Sequence, residues 1–491
     1  MSLIKKLAGQ TVIYGLSHIL SRVLLFVVFT WYLTRRFDGD TTEYGIYNDM
    51  YSYAALFLTI LIFRLDTAFF RFGSKGDLQK TFSTGMIAVV GLSAVVLLVL
   101  LPSVDHFARI LHYTDAPHYI TWFAYILVLD AFTALVFAKF RLESKPMRFM
   151  YFKLLNVGLT IGLVLLFLEV LPNYYGETFE RLKTTLNTSR DIDFVFLANL
   201  LASLIVVLAM IPELLRVKWS FDAALFKKMA IYASPLVLVG IAGNVNQSFA
   251  VPLQKIFLSD NIMDNLANAG VYGAAAKLAI LLNLFTTAFN YAAEPFFFNN
   301  SDKKDAIKIY GKVALAFTLV ACLVTVGLVF YIDIIVLIIG EKYRVGAHIV
   351  PILLFAYVFL GLYYNVSIWY KLKDKTHIGA LISFIGMFVT IAISILLLPR
   401  IGYVASAWAA LACYVVMVVI GYIVGQKYYP VNYPVKKIVF YVFTSALLCF
   451  LSIQSRSLDL SPILYYSIVS LVLLGILWFV YQREGKGLLK A

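Results

Sequence analysis

Long apolar runs alternate with short clusters of charged and turn-forming residues along the whole chain. A helix needs about 20 such residues to cross the hydrocarbon core of a bilayer. Fourteen runs meet that requirement: 11–33, 44–63, 82–101, 119–138, 154–171, 192–211, 229–252, 269–292, 313–331, 347–370, 378–398, 402–425, 438–455 and 462–481. The eleventh and twelfth are separated only around Pro399-Arg400, and the ninth has an apolar extension, Ile332–Ile339. No connection is longer than the 20 residues of Pro172–Asp191, so there is no room for a soluble domain. The pattern predicts an all-α polytopic membrane protein of about 14 transmembrane helices.

Composition narrows the class. Hydrophobic residues make up 62% of the chain, charged residues 14%, aromatic residues 16%, and the mean hydropathy is +0.86. Soluble domains are about half apolar and a quarter charged, so this chain lacks the polar surface for water. The net charge of +14 would point to nucleic acid in a soluble protein. Here the basic residues stand between the apolar runs, which makes them topology signals, and no nucleic-acid partner is expected. With the N-terminus inside, the cytoplasmic segments hold 28 Lys and Arg and the external ones 11. That bias predicts cytoplasmic termini on both sides of the chain. The first run is too long for a signal-peptide core and ends in Arg35-Arg36 without a small-residue cleavage site, so it counts as a span. Cys322, Cys413 and Cys449 lie inside apolar runs without metal-ligand spacing, and neither a disulfide framework nor a metal site is expected.

The chain also repeats itself. Gly45-Ile46-Tyr47 matches Gly270-Val271-Tyr272 at an offset of 225, and the same register sets Ala68-Phe69-Phe70-Arg71-Phe72 against Ala293-Glu294-Pro295-Phe296-Phe297. Phe140-Arg141-Leu142 and Tyr370-Lys371-Leu372 differ by 230, Leu171-Pro172 and Leu398-Pro399 by 227, and Ile13-Tyr14 and Ile231-Tyr232 by 218. Each match is weak, but their common order and near-constant offset indicate duplication. The offset covers an even number of spans, so the copies run in the same direction. The expected organisation is one six-helix lobe over 1–213, a second over 214–432, and two additional helices with a cytoplasmic tail over 433–491.

With these segments in view, the chain resembles the polysaccharide transporter branch of the multidrug/oligosaccharidyl-lipid/polysaccharide exporter superfamily, which includes O-antigen flippases. The resemblance rests on Gly9-Gln10-Thr11, Glu43-Tyr44-Gly45-Ile46-Tyr47 and Phe63-Arg64-Leu65-Asp66-Thr67-Ala68-Phe69-Phe70-Arg71-Phe72. Gly340-Glu341-Lys342-Tyr343 and Leu398-Pro399-Arg400-Ile401-Gly402-Tyr403 extend it towards the C-terminus. It implies a flippase that moves a polyprenyl-pyrophosphate-linked oligosaccharide across a bacterial inner membrane by rocking one lobe against the other. It also implies a monomer among membrane lipids, in reach of glycan polymerase or ligase machinery, with no cofactor beyond H+ or Na+ coupling. Related flippases line their central cavity with basic residues of the first, second and eighth helices, and Arg22, Arg64 and Lys277 fall in those helices here.

The charged residues inside the runs carry the candidate chemistry, because a charge at the bilayer centre costs at least ~2.5–3.5 kcal/mol unless water or a partner receives it. Tyr14, His18 and Arg22 recur every four residues and form one polar stripe on the first span. Arg22, with His18, Arg64 and Lys277, is a candidate for the pyrophosphate, which a guanidinium binds in bidentate fashion. Helix packing is the competing role for Arg22 and Lys277, and snorkelling the competing role for Arg64 and Arg71. Asp130, near the middle of the fourth span, is either an ion-coupling carboxylate or a partner for one of these cations. Asn244 and Gln247 share a face of the seventh span, where they would meet sugar hydroxyls or bond neighbouring helices.

No nucleotide-binding loop, zinc-protease motif or nucleophile elbow occurs, and no enzyme activity is expected. The alternatives are a lipid II flippase, a small-molecule antiporter of the same superfamily and, in a different class, a membrane glycan polymerase or ligase. The last would use the charges of the loop Pro172–Asp191, among them Glu177, Arg181 and Arg190.

Overall fold

The computed structural model describes residues 20, 23–74, 76–215, 217–300, 306–373, 375–458 and 461–485. All secondary structure among them is helical. Among the described residues thirteen helical segments are long and apolar enough to span a membrane, and each overlaps one of the expected runs from the second to the fourteenth. The first run lies largely outside the described residues, with His18 and Arg22. Its end is seen as a wide π-helical turn, Leu24–Phe29, that passes into α1 (Thr30–Arg36).

The spans begin with α2 (Thr41–Ile62), α3 (Leu65–Gly73), α4 (Leu78–Leu100), α5 (His118–Leu142), α6 (Pro146–Leu165) and α7 (Asp191–Leu214). There follow α8 (Ala223–Ser248), a short α9 (Ala250–Phe257) and the long α10 (Ile262–Asn300). The rest of the chain forms α11 (Ala306–Phe330), α12 (Val350–Val366), α13 (Thr376–Ile401), α14 (Val404–Tyr428), α15 (Val435–Ser455) and α16 (Pro462–Val480). Acidic caps start several of them: Asp40 accepts from Thr42 N, Asp77 from Lys80 N and Asp222 from Leu225 N. Each satisfies a backbone donor that a helix leaves open at its N-terminus.

The chain divides into two compact units. The first comprises residues 1–33, 39–255 and 261–270. Its core at one end is built from Leu61, Leu65, Phe69, Phe82, Met86, Leu135 and Phe140. Towards the other end Tyr51, Phe123, Phe196 and Tyr119 meet edge to face or tilted, with ring centroids 4.9–6.2 Å apart. Gly45 of α2 faces Gly270 of α10 in this unit. A Cβ on Gly45 would collide with the Leu266 carbonyl, and one on Gly270 with the Thr41 carbonyl.

The second unit comprises residues 34–38, 256–260 and 271–491. Leu360 and Tyr363 of α12 pack with Ile382 of α13 and with Cys413 and Met417 of α14. Trp369 is buried and donates to Gly421 O at 3.1 Å. The C-terminal pair is fastened by polar contacts: Arg456 Nε to Asp333 Oδ2 at 2.9 Å, Lys437 Nζ to Glu484 Oε2 at 2.9 Å, and Ser452 Oγ with Tyr465 OH at 2.8 Å. The outward faces of both units are apolar. Leu98, Phe388, Leu471 and Ile463 are 74%, 72%, 69% and 83% exposed, an arrangement that suits lipid and not water.

Candidate functional site

In the first unit the second span is broken. The helix stops at Ile62, and Phe63 and Arg64 both take left-handed backbone conformations, with φ of 50° and 52°. The chain turns helical again when Thr67 N and Ala68 N bond to Arg64 O at 3.1 Å. A left-handed L-residue costs roughly 1–2 kcal/mol, so two in succession must be held by their surroundings.

The break presents the Arg64 side chain to α8. A Cβ at Gly240 would stand 2.7 Å from Arg64 Nη2 and 2.9 Å from Nε, so the guanidinium occupies the space that glycine leaves. Arg64 Nε is buried and has no hydrogen-bond partner among the described residues. One turn along α8, Asn244 Nδ2 donates to Ala55 O at 2.9 Å and to Thr59 Oγ1 at 2.7 Å. Thr59 in turn donates to Ala55 O at 3.1 Å. Asn244 therefore clamps α8 to α2 beside the arginine. A guanidinium with an Nε–H to spare, on a clamped pair of helices, keeps a donor for a phosphate oxygen.

The sequence pattern puts Arg64 just past the run 44–63 and sets Asn244 with Gln247 on one face of the seventh span. The structure brings Arg64 and Asn244 together and leaves Gln247 exposed. Asp130 stands elsewhere in the unit, half-buried on α5, where its Oδ1 accepts from Ser203 Oγ of α7 at 3.2 Å. Lys277 belongs to the second unit and is half-buried on α10. His18 and Arg22 lie outside the described residues. Among the described residues no three His, Cys, Asp or Glu side chains converge as metal ligands would.

One charged cluster was missed. Asp49 on α2 and Lys255 on α9 form an ion pair of 2.7 Å, with side chains 0% and 1% exposed. Tyr113 OH donates to the same carboxylate oxygen at 2.7 Å, and its ring centroid lies 3.8 Å from Lys255 Nζ. The ammonium also bonds Leu111 O. Burial first, and the Asp49 carboxylate second, hold the Tyr113 phenol far above its ordinary range, so it remains a donor. The second oxygen, Asp49 Oδ1, has no hydrogen-bond partner among the described residues. The available signal was Asp49 itself, a carboxylate inside the run 44–63 that the rule applied to Asp130 also covers. A further network ties α2 to α7: Glu43 accepts from Ile192 N at 2.9 Å, and Asp193 accepts from Tyr119 OH at 2.5 Å and from Ser189 N and Arg190 N at 3.1 Å.

No family model matches the chain, and no curated protein does. Solved structures do. The chain is similar to the lipid II flippase MurJ in an inward closed conformation, with a TM-score of 0.70 and 15% identity, over 96% of this chain and 99% of that one. It is also similar to an inward-facing multidrug resistance MATE transporter of the MOP superfamily, with a TM-score of 0.57 and 14% identity, over 91% and 100% of the two chains. A Vibrio cholerae MATE transporter matches at 0.57 and 14% identity, over 86% and 96%. The fold is thus the two-lobed helical fold of MurJ and the MATE transporters, and the chain is a multi-pass membrane protein.

Proposed function

We propose that the chain is a flippase that moves a polyprenyl-pyrophosphate-linked oligosaccharide across a bacterial inner membrane by alternating access of its two lobes, with both termini in the cytoplasm. The observation that carries this reading is Arg64, an arginine presented by a break in a membrane span with a buried donor to spare. A stability role alone gives no reason for a strained backbone at a charged residue, whereas an anionic cargo does. Arg22, Arg64 and Lys277 would hold the pyrophosphate, with His18 beside Arg22. Gln247 would meet the sugar, with Asn244 adding its carbonyl oxygen. Asp130 would take up the coupling H+ or Na+. The polyprenyl chain would remain in lipid throughout.

Depletion of the protein in its native host, followed by mass spectrometry of polyprenyl-linked intermediates, tests the reading. A completed oligosaccharide accumulates on its carrier if the proposal holds, and its mass identifies the cargo. The variant with Arg22→Gln, Arg64→Gln and Lys277→Gln should insert normally and fail to restore export. Full complementation by that variant rejects the pyrophosphate assignment.

A lipid II flippase is a second reading, favoured by the likeness to MurJ over nearly the full length of both chains. Accumulated peptidoglycan precursor in the same experiment would select it. An unchanged lipid-linked pool would select a small-molecule antiporter.

A further inference from the structure

The first unit carries a groove of about 520 Å³ whose walls are almost wholly apolar. Leu65, Ile87, Gly91, Val95, Phe226 and Ala230 line it, so it runs between the start of α3, the middle of α4 and the first turns of α8. It opens outwards, since Val95 and Phe221 on its walls are 56% and 48% exposed. Its width at the centre depends on Gly91, where no heavy atom lies within 4 Å of the position a Cβ would take.

One end of the groove is positively charged. Lys80 lies seven and eleven residues before Ile87 and Gly91, on the same face of α4, and its Nζ is 2.7 Å from Asp222. With Asp222 so engaged, Lys218, Lys227 and Lys228 stand exposed in the segment that carries Phe221 and Phe226. Trp219 and Phe221 are also exposed there, and Trp is a residue type that marks the boundary between hydrocarbon and headgroups. A lipid with its headgroup at that boundary would have its phosphate among the lysines and a chain running towards Val95.

We propose that this groove is a binding site for an anionic phospholipid, with one acyl chain along Gly91 and Val95 and the phosphate at Lys218, Lys227 and Lys228. The walls offer a chain no polar partner, so selection comes from the headgroup charge. The bilayer itself supplies this ligand.

The test uses the full chain in mixed micelles, titrated with dioleoyl phosphatidylglycerol or dioleoyl phosphatidylcholine, with bound lipid counted by native mass spectrometry. One phosphatidylglycerol should be retained, preferred over phosphatidylcholine by at least about tenfold. Gly91→Trp and Val95→Trp should each lose it, and Gly91→Ala should keep it. Exchange of Lys218, Lys227 and Lys228 for Gln should erase the preference. Two filling variants keep the test decisive if one fails to fold. Equal retention of the two lipids, or undiminished phosphatidylglycerol on both Trp variants, overturns the proposal. Displacement by an equal concentration of undecaprenyl phosphate also overturns it and gives the groove to a polyprenyl chain.

Discussion

At the scale of single residues, the strongest dependence is that of Lys255 on Asp49. Both side chains are withdrawn from solvent, so either charge left alone would be stranded in a dry interior. Lys255→Met should destabilise the purified protein by about 3–5 kcal/mol, read as a fall in unfolding temperature in detergent. The double variant Asp49→Leu, Lys255→Met should recover most of that loss, because it removes both charges together. A double variant no better than the single one would mean that the two residues act separately. The pair was not legible beforehand because its members are 206 residues apart, and only folding makes them partners. Asn244 shows the same limit: its polar character was visible, but not that its amide would be used on Ala55 and Thr59.

At the scale of elements, the helices were legible and their interruptions were not. Bilayer thickness is a one-dimensional constraint on run length, so the expected runs from the second to the fourteenth and the observed spans coincide in order. The interruption at Phe63-Arg64 carries neither glycine nor proline, the residues by which a sequence announces a break. The repeat match of Gly45 with Gly270 was visible in sequence, but not that these two residues would meet. Their contact is backbone against backbone, which no rotamer change can relieve. Gly45→Val and Gly270→Val should therefore each sharply reduce folded protein in the membrane, as measured by fluorescence-detected size exclusion. Gly91→Ala, where open space surrounds the new methyl, should leave yield intact and raise stability by up to about 1 kcal/mol.

For the molecule as a whole, the fold follows from the sequence with little ambiguity, since no water-soluble arrangement hides so much apolar surface. Orientation rests on the excess of basic residues in alternate connections and can be measured directly. Cys322, Cys413 and Cys449 are buried, so the native chain should react poorly with membrane-impermeant thiol reagents. Cysteine placed at Asn187 should then label from outside intact cells, and cysteine at Ser144 only after permeabilisation. Reversed labelling would invert the topology. The candidate site was only partly legible, because a basic residue announces its charge but not the backbone that aims it.

The left-handed turn at Arg64 carries an evolutionary implication. Glycine would adopt that conformation without penalty, so selection for robustness alone would favour glycine there. Arg64→Gly should therefore melt no earlier than the parent, and slightly later, while losing transport. An inactive variant sturdier than its parent would mark residue 64 as a place where thermal fitness has been surrendered to work.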